Sequence, residues 1–215
     1  MAKRNARCRG WVAVLRVDYL TVAGLPPVSF EVAPHECLAV EGPSGAGKTR
    51  LLRAIADLDA ADGFVYLEGA ERREVPAPEW RRRVRYASAE PAWWGLRVRE
   101  HFPAAAKLDR LILSVGLEPK LLDRPISELS TGERQRLGLV RAIADEPRVL
   151  LLDEPTSALD AQATALAEEL IRFQILTGRI VVLVSHNSGQ VVRLAHTRLL
   201  LPGNGKAAVV ERVAA

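Results

Sequence analysis

A glycine-rich run, GPSGAGKT at residues 42–49, constrains the fold of this chain more than any other segment. It matches the pattern G-x-x-x-x-G-K-[ST] and lies between a short apolar run, residues 36–42, and a segment with helical spacing of apolar residues, 48–58. Its three glycines allow the backbone to curl so that N–H groups point inward, with the positive end of the following helix behind them. The run therefore predicts a loop that binds phosphate groups at a strand-to-helix junction.

Apolar runs that alternate with helical segments indicate an α/β core. Runs at 36–42, 148–154 and 179–186 are short, rich in branched residues and end in polar residues. Strands buried on both faces of a parallel sheet have this pattern. A helix is expected over 161–176, where apolar residues recur at helical spacing up to a Thr-Gly pair.

The remaining segments complete the predicted architecture. Residues 15–22 and 27–34 have the pattern of antiparallel strands broken by a proline pair, and residues 63–69 that of a further strand. From about 97 to 147 the spacing is helical, with no strand signal. The predicted fold class is α/β: a phosphate-loop NTPase core with a mainly parallel sheet, a small antiparallel β subdomain at the N-terminus and an inserted helical subdomain. We expect a single domain over 1–215.

Composition excludes several protein classes. The 215 residues are 48% hydrophobic and 26% charged, as in globular chains, and no stretch approaches the roughly 18 apolar residues of a membrane helix. The basic N-terminal segment lacks a long apolar core and a cleavage site, so the chain is expected to stay in the cytosol. Cys8 and Cys37 are far apart and have no histidine at a ligand spacing, which argues against a zinc site.

The net charge of +4 allows a nucleic-acid partner, because basic clusters bind phosphates. Most of the excess lies at residues 3–9 and 81–85, without stacking aromatic residues at an RNA-binding spacing. Solvated faces, or contact with anionic lipid head groups, are favoured over nucleic acid. We therefore expect no nucleic-acid partner.

Two adjacent carboxylates follow the second apolar run. Asp153 and Glu154 stand at the carboxyl end of a predicted buried strand, where an open α/β sheet binds its ligands. Because adjacent strand residues point to opposite sides, we expect Asp153 to hold a hydrated Mg²⁺ and Glu154 to hold the attacking water. Lys48 is expected to neutralise phosphate charge, and Thr49 to offer its hydroxyl to Mg²⁺.

The order of four motifs resembles the ABC ATPase family over nearly the whole chain. After GPSGAGKT come LSTGERQR at 129–136, LLLDEPTSALD at 150–160 and VSH at 184–186. LSTGE is similar to the signature sequence of that family, a polar loop that leads into a helix and offers a hydroxyl and N–H groups to an anion. The resemblance implies ATP and Mg²⁺ as ligands, and it implies that Glu154, His186 and Lys48 are catalytic.

The resemblance also implies an arrangement of two copies. In the family, the signature loop of one subunit caps the γ-phosphate held by the other, so ATP lies inside a homodimer or pseudo-dimer. Asp160 resembles the D-loop aspartate that links the two sites; from the residues alone it is also a helix N-cap, and both roles are compatible. The nucleotide contacts implied are Gly42, Pro43, Ser44, Gly45, Ala46, Gly47, Lys48, Thr49, Arg50, Ser130, Gly132 and Asp160.

The function implied is ATP hydrolysis that drives a separate transmembrane permease subunit. Such a chain is cytoplasmic and peripheral on the inner face of the membrane. Within the family, this chain resembles the small ATP-binding subunits of bacterial exporters. Two alternatives stay open: a module that binds ATP with little or no turnover, and a soluble family member that acts on DNA or ribosomes. The second lacks support in the sequence, since neither long heptad segments nor a second cassette is present.

The sequence departs from the family pattern around its central loop and signature. Ala89 stands where a glutamine normally contacts Mg²⁺ and signals to the membrane partner, and Ser88 and Glu90 are the candidates to replace it. Thr131 and Glu133 take the places of a glycine and a glutamine in the signature. Nucleotide binding is still predicted despite these changes. The residues that complete the Mg²⁺ coordination and those that signal to the membrane partner are left open.

Aromatic residues leave two further questions. The ring that stacks on adenine is not evident: residues 22–25 are the expected place, and Tyr19 and Trp11 are weak candidates. Trp93 and Trp94 follow the altered loop. Either one of them is exposed and anchors the membrane subunit, or both fold inward, and the sequence favours neither hypothesis.

Overall fold

A computed structural model describes residues 14–22, 25–103, 107–203 and 206–213. The strands, in chain order, are β1 (Leu15–Thr21), β2 (Val28–Val32), β3 (Cys37–Glu41), β4 (Asp62–Leu67), β5 (Ala70–Glu71), β6 (Val84–Ala87), β7 (Val149–Asp153), β8 (Ile180–Val184), β9 (Thr197–Leu200) and β10 (Val209–Arg212). The α-helices are α1 (Lys48–Ile55), α2 (Ala77–Arg83), α3 (Leu108–Ser114), α4 (Thr131–Ala144), α5 (Ala161–Leu176) and α6 (Ser188–Leu194). Short 3₁₀ turns span Arg72–Glu74, Val98–His101, Pro119–Asp123 and Ile126–Glu128.

Within the described residues, the strands form two sheets. An antiparallel sheet has the order β2-β1-β4-β5, and a larger sheet has the order β10-β9-β3-β8-β7-β6. In the larger sheet all neighbours are parallel except β10, which pairs antiparallel with β9 at the edge. Every residue of β7 and β8 is buried, because helices and the smaller sheet cover both faces. The predicted α/β fold class, with its mainly parallel and antiparallel sheets, is confirmed.

Alternate residues of the central strands enter two separate hydrophobic cores. On one face, Leu38 and Val40 of β3 pack with α1 and with the antiparallel sheet. On the other face, Leu150 and Leu152 of β7 pack with residues of α3, α4 and α5. Helices α1 and α4 therefore lie on opposite faces of the parallel sheet, which matters for the site described below.

The C-terminal end of α1 is fixed by side chains that satisfy its last carbonyl groups. Trp80, which is fully buried, donates its Nε1–H to the Ile55 carbonyl oxygen at 2.9 Å. The buried Arg72 donates to the Ala54 carbonyl oxygen, and desolvation lowers the pKa of its guanidinium. Helix ends need such partners when they are buried. The helix that begins at the phosphate loop is thus held firmly at its far end.

Most elements agree with the sequence prediction. Helix α5 spans 161–176 and ends at Thr177, with Gly178 at a φ of 94°. The described residues of 97–147 form helices, 3₁₀ turns and connecting loops, with an isolated bridge between Arg97 and Pro125. Strand β6 was not predicted because its basic sequence lacks an apolar run, and β9 and β10 were not predicted either. No helix in the described ranges has the length and apolar character needed to cross a bilayer.

Candidate functional site

The carboxyl ends of three parallel strands meet at one edge of the large sheet. Val40 of β3 pairs with Val184 of β8, and Val184 pairs with Asp153 of β7, so the three strands end level with one another. The phosphate loop follows β3, Glu154 follows β7 and His186 follows β8. The connectivity thereby brings three motifs that are distant in sequence to one edge, as expected for ligand sites of open α/β sheets.

The phosphate loop is closed around the Lys48 ammonium group. Lys48 is only 7% exposed, and its Nζ donates to the carbonyl oxygens of Gly42 at 2.8 Å and Pro43 at 3.0 Å. Both acceptors are neutral, so these contacts leave the positive charge available to an anion. The loop also closes on itself through a bond from the Ala46 N–H to the Pro43 oxygen at 3.1 Å. This cradle fits a phosphate group.

Gly47 is the residue at which the loop turns into α1. Its φ is 89°, and an added Cβ would lie 2.7 Å from Cγ of Leu25. Both facts require glycine, since L-residues rarely adopt this backbone conformation and the neighbouring side chain leaves no room. Leu25 lies just before β2, so the smaller sheet packs directly against the base of the phosphate loop. Ser44, Thr49 and Arg50 are exposed around this turn.

The side chains of Asp153 and Glu154 lie in different environments at the end of β7. The alternation of side chains along a strand, from which this was predicted, is not the cause. The strand ends at Asp153, and Glu154 adopts a left-handed conformation with φ 49°. Its N–H donates to the Val184 oxygen at 3.0 Å, which ties the turn to β8. The predicted separation of the two carboxylates is therefore produced by a backbone turn, not by two strand positions facing opposite ways.

The two carboxylates occupy different environments. Asp153 is 4% exposed and accepts a hydrogen bond from the Tyr86 hydroxyl at 3.0 Å. Burial, and then the neighbouring Asp153 charge, raise the pKa of Tyr86 well above its usual range, which keeps the hydroxyl protonated as a donor. The Glu154 side chain is 32% exposed, and its Oε1 lies 3.1 Å from Nε2 of His186. A buried acid and an accessible acid suit a metal role and a water-activating role, respectively.

His186 reaches Glu154 from the end of the neighbouring strand. Its side chain is 51% exposed, and the following Asn187 caps α6 by accepting the Gln190 N–H at 3.1 Å. An imidazole that contacts one carboxylate oxygen can orient it towards water or a phosphate oxygen. The pair thus has the chemistry of a carboxylate base that a histidine holds in place.

The residues available for a metal ion fit one that is bound together with phosphates. Thr49 supplies a hydroxyl in the first turn of α1, and Asp153 supplies a buried carboxylate. These are the hard oxygen donors that Mg²⁺ prefers. In the described ranges, no group of three or more His, Cys, Asp or Glu residues could hold an ion. A magnesium ion here would need phosphate oxygens to complete its shell.

The signature loop forms a complete helix N-terminus. Ser130 caps α4: its Oγ accepts the Glu133 N–H at 3.2 Å, and the Glu133 carboxylate accepts the Ser130 N–H at 2.8 Å. This reciprocal capping box explains the glutamate at position 133, and the bond from the Ser130 N–H lowers the pKa of Glu133. The Ser130 hydroxyl hydrogen stays available for an anion. Thr131 begins the helix, and a Cβ added at Gly132 would approach the Ala158 oxygen at 3.5 Å.

The structure does not bring all predicted site residues together. Lys48, Asp153, Glu154 and His186 lie at one edge of the sheet, whereas Ser130 caps a helix on the other face from α1. Asp160 caps α5 by accepting the Ala163 N–H at 2.8 Å, so its N-cap role is confirmed.

The altered loop after β6 engages the site through its backbone. Gln135 of α4 donates to the carbonyl oxygens of Ala89 at 3.1 Å and Glu154 at 3.0 Å. The Ser88 hydroxyl donates to the Glu90 oxygen at 2.7 Å, so it is committed within the loop. Neither Gln135 nor Tyr86 was assigned a role from sequence, although both stand in the motifs that were singled out. Their partners are too distant in sequence for a local pattern to show them.

The tryptophan pair is split between the surface and the interior. Trp94 is 74% exposed, whereas Trp93 is partly buried. The Arg141 guanidinium lies over both rings, at 4.6 and 5.0 Å from their centroids. Nε2 of His101 accepts the N–H groups of Trp94 and Gly95 at 2.9 and 2.8 Å. The hypothesis that one tryptophan is exposed is the one that the structure supports.

The candidates for an adenine contact differ in exposure. Trp11 and residues 23–24 lie outside the described residues. Tyr19 is 74% exposed and has a φ of 49°, whereas Leu25 is buried against Gly47. Tyr19 is therefore an exposed aromatic residue on β1.

The sequence of this chain is similar to a family of known proteins. A family model described as ABC transporter matches residues 25–157. The molybdenum import ATP-binding protein ModC of Aromatoleum aromaticum is 40% identical over 80% of this chain, and the spermidine/putrescine import ATP-binding protein PotA of Chromobacterium violaceum is 38% identical over 83%. The aligned regions cover 50% and 53% of those proteins, so the chain spans about half the length of these relatives.

A solved structure titled as the ATP binding subunit of an ABC transporter has the same fold. Its TM-score is 0.82 at 24% identity, and the match covers 93% of this chain and 90% of that one. The family model covers more than half of the chain, and the import relatives exceed 30% identity over most of it. This chain belongs to the ABC transporter family and is similar to its ATP-binding proteins.

Proposed function

We propose that this chain binds and hydrolyses ATP as the ATP-binding subunit of a transporter whose membrane part is a separate polypeptide. The observation that carries the proposal is the convergence of Lys48, Asp153, Glu154 and His186 at one sheet edge. A buried ammonium in a backbone cradle, a buried acid and an accessible acid–histidine pair are the parts that phosphoryl transfer to water requires. The import relatives, which are named as ATP-binding proteins, support the same activity.

Each side chain has a defined part in this proposal. Lys48 exchanges its carbonyl contacts for phosphate oxygens, and the loop N–H groups hold the remaining charge. Thr49 and Asp153 would hold Mg²⁺, which supplies charge neutralisation at the phosphates. Glu154 accepts the proton of the attacking water, and His186 holds the Glu154 carboxylate in position.

A pair of lysine variants tests ATP binding and turnover. Lys48→Ala should abolish MgATP binding and phosphate release, because it removes the cation at the centre of the loop. Lys120→Ala is the matched control, since Lys120 is exposed and pairs only locally with Glu118. Phosphate release by the parental and Lys120→Ala proteins, together with its loss in Lys48→Ala, would support the proposal. Equal turnover in all three proteins would refute it.

The same assays, applied to the parental protein, distinguish a chain that hydrolyses ATP from one that only binds it. A module without turnover would bind MgATP in the parental protein but release no phosphate. The Glu154–His186 contact of 3.1 Å favours turnover, because binding alone needs no such pair. Ala89 does not weaken this inference, since its backbone carbonyl keeps a defined contact with Gln135.

We further propose that ATP is enclosed between two copies. The support is the position of Ser130, which caps α4, and α4 packs on the face of the sheet opposite α1. A second copy arranged head to tail would bring its Ser130 loop to the first copy's ATP. Ser130 and Gly132 would contact the γ-phosphate, and Asp160 would lie near the boundary between the copies.

Mixed dimers test this arrangement. Lys48→Ala and Ser130→Ala proteins should each be inactive alone. Mixing them should restore one intact composite site, giving at most about half the parental rate per dimer that carries one of each. If the mixture stays as inactive as its components, ATP is not shared between the copies. A Ser114→Ala protein, changed at an exposed serine of α3, is the control for the serine substitution.

For the membrane partner we propose a docking groove between β6 and α4. It has a volume of about 430 Å³ and is lined by Trp94, Arg85, Arg141 and Asp145, among others. The exposed Trp94 ring supplies an interface anchor, and the groove adjoins the loop that holds Ala89. An amphipathic helix of the membrane subunit is the occupant that we propose, which would place the chain at the cytoplasmic face of the membrane.

Co-purification from membranes tests the groove. Trp94→Ala should reduce recovery of the membrane subunit with the tagged chain and leave ATP binding intact. Phe173→Ala is the matched control, because Phe173 is also an exposed aromatic residue (59%) but lies on α5. Equal loss of the partner from both variants would reject this groove.

The exporter-type resemblance stays a prediction, and the relatives' names favour import instead.

Tyr19 is the residue that we propose for adenine contact. It is an exposed ring on β1, and Leu25, farther along the chain, lies against Gly47 of the phosphate loop. Tyr19→Ala should raise the KM for ATP several-fold, whereas Tyr19→Trp should retain it, since both aromatic rings can stack on a base. An unchanged KM in Tyr19→Ala would assign the contact elsewhere.

A further inference from the structure

The side chain of Gln135 joins the helix that carries the signature loop to the segment that carries the catalytic base. Gln135 is 3% exposed and stands one turn and a half into α4, five residues after Ser130. Its Nε2 lies 3.0 Å from the Glu154 oxygen, 3.0 Å from Oγ of Ser157 and 3.1 Å from the Ala89 oxygen. Its Oε1 accepts the Ala158 N–H at 2.9 Å.

The partners fix the orientation of this amide group. Three oxygen atoms converge on Nε2, whose two hydrogens must be shared among them, and one N–H points at Oε1. A flipped amide would place its oxygen against the Ala89 and Glu154 carbonyl oxygens and its N–H groups against the Ala158 N–H, so the orientation is unambiguous. A buried amide with every polar atom engaged specifies one arrangement of its neighbours.

The Glu154 backbone is held from both sides. Its N–H donates to Val184 of β8 at 3.0 Å, and its carbonyl accepts from Gln135. Between them the residue adopts the left-handed conformation, φ 49°, which a non-glycine residue keeps only where its surroundings enforce it. The Glu154 carbonyl also accepts the Ser157 N–H at 3.3 Å, so loss of the Gln135 bond removes the shorter of these two bonds to it.

We infer that Gln135 is a positioning residue for hydrolysis, which holds the Glu154 turn and the 157–158 segment in register with the Ser130 loop. The inference rests on the proposed function. Because Ser130 and Gln135 belong to one rigid helix, a displacement of the signature loop by a nucleotide reaches the Glu154 backbone directly. Loss of Gln135 should thus slow the chemical step while leaving the Lys48 cradle, and ATP binding, unchanged.

The test compares kcat, KM for ATP and thermal unfolding among matched variants. Gln135→Met keeps the length and burial of the side chain but removes all four contacts, and Gln135→Glu keeps the acceptor for Ala158 but removes the donor. Both should lower kcat at least about tenfold with KM changed less than about twofold. Gln174→Met is the control, since Gln174 is 1% exposed and hydrogen-bonds to Leu170 and Arg179, away from the site. It should lose a similar amount of thermal stability and keep its kcat.

A milder variant covers the case in which Gln135→Met does not fold. Ser157→Ala removes one partner of Gln135 at an exposed position and should lower kcat about two- to fivefold.

The outcomes are distinguishable. A selective fall in kcat, with the control unaffected, supports the positioning role. If Gln135 variants keep kcat within about twofold, or if kcat falls in Gln174→Met as much as in Gln135→Met, the role is refuted while ATP turnover by the parental chain leaves the proposed function standing. Absence of turnover in the parental chain would overturn the proposed function and, with it, this inference.

Discussion

Replacing Glu154 by glutamine should separate ATP binding from ATP hydrolysis. The substitution keeps the size of the side chain and both backbone bonds, to Val184 and from Gln135, so the turn after β7 should persist. What changes is the carboxylate that lies 3.1 Å from His186. An amide cannot accept the proton of the attacking water, whereas the Lys48 cradle is untouched.

The expected magnitudes follow from the exposure of the pair. The Glu154 and His186 side chains are 32% and 51% exposed, so their interaction contributes at most about 1 kcal/mol to the free energy of unfolding. For a chain of this size, that corresponds to a loss of about 2–4 °C in Tm. A general base contributes about 10²- to 10⁴-fold to the rate, so kcat should fall at least about 100-fold, or about 2.7 kcal/mol.

The assay measures phosphate release, MgATP binding and molecular mass in the presence of MgATP. Glu154→Gln should bind ATP with parental affinity, release almost no phosphate and accumulate as a dimer, because the composite site forms but does not turn over. Glu169→Gln, at an exposed position of α5, is the charge-matched control and should behave as the parent does. Parental kcat in Glu154→Gln would refute the base assignment, and a large loss of Tm would show that the side chain acts structurally.

Three further outcomes are expected. Gly47→Ala should lower Tm and ATP affinity together in thermal unfolding and binding assays, since its Cβ would lie 2.7 Å from Leu25 in a left-handed residue; unchanged values would contradict this geometry. The Arg193 guanidinium lowers the pKa of the buried Glu168 below its ordinary 4.5, so this stabilisation is complete above that pH and is lost as pH falls further. Arg193→Met should therefore cost about 1–2 kcal/mol in denaturant unfolding at pH 7 and progressively less below pH 4.5, and a cost independent of pH would argue against the ion pair. Ala89→Gln should leave basal kcat within about twofold, because position 89 contacts Gln135 through its backbone, and a large change in Mg²⁺ dependence would show that the side chain matters.

Elements were predictable from sequence where the local pattern determined the structure. Strands β7 and β8 are buried on both faces, so their apolar runs identified them, and α5 has an N-cap at Asp160 and a glycine just beyond its end. Strand β6 was not predictable in this way. It pairs with β7 on one side only, and its Arg85 forms an ion pair with Asp145. Its strand character comes from a neighbour, not from its own sequence.

The site was predictable to the extent that it follows from parallel-strand topology. Level strand ends place Lys48, Asp153, Glu154 and His186 at one edge whatever the details of each turn. The direction of Glu154 does not follow, because it depends on a left-handed turn enforced by bonds from β8 and α4. Alternation along a strand therefore predicted the divergence of the two acids for the wrong reason.

Position 89 illustrates why a departure from a family pattern need not remove a connection. A side-chain amide at this position would reach the nucleotide site from the loop, whereas here the reverse contact exists: an amide on α4, Gln135, reaches the Ala89 carbonyl. Every residue has a backbone carbonyl, so this hydrogen bond can form with either alanine or glutamine at position 89. The same amide bonds to Glu154, so hydrogen bonds connect the loop beside the proposed docking groove with the segment that carries the proposed base. Coupling between the groove and the catalytic edge should consequently depend more on Gln135 than on the residue at position 89.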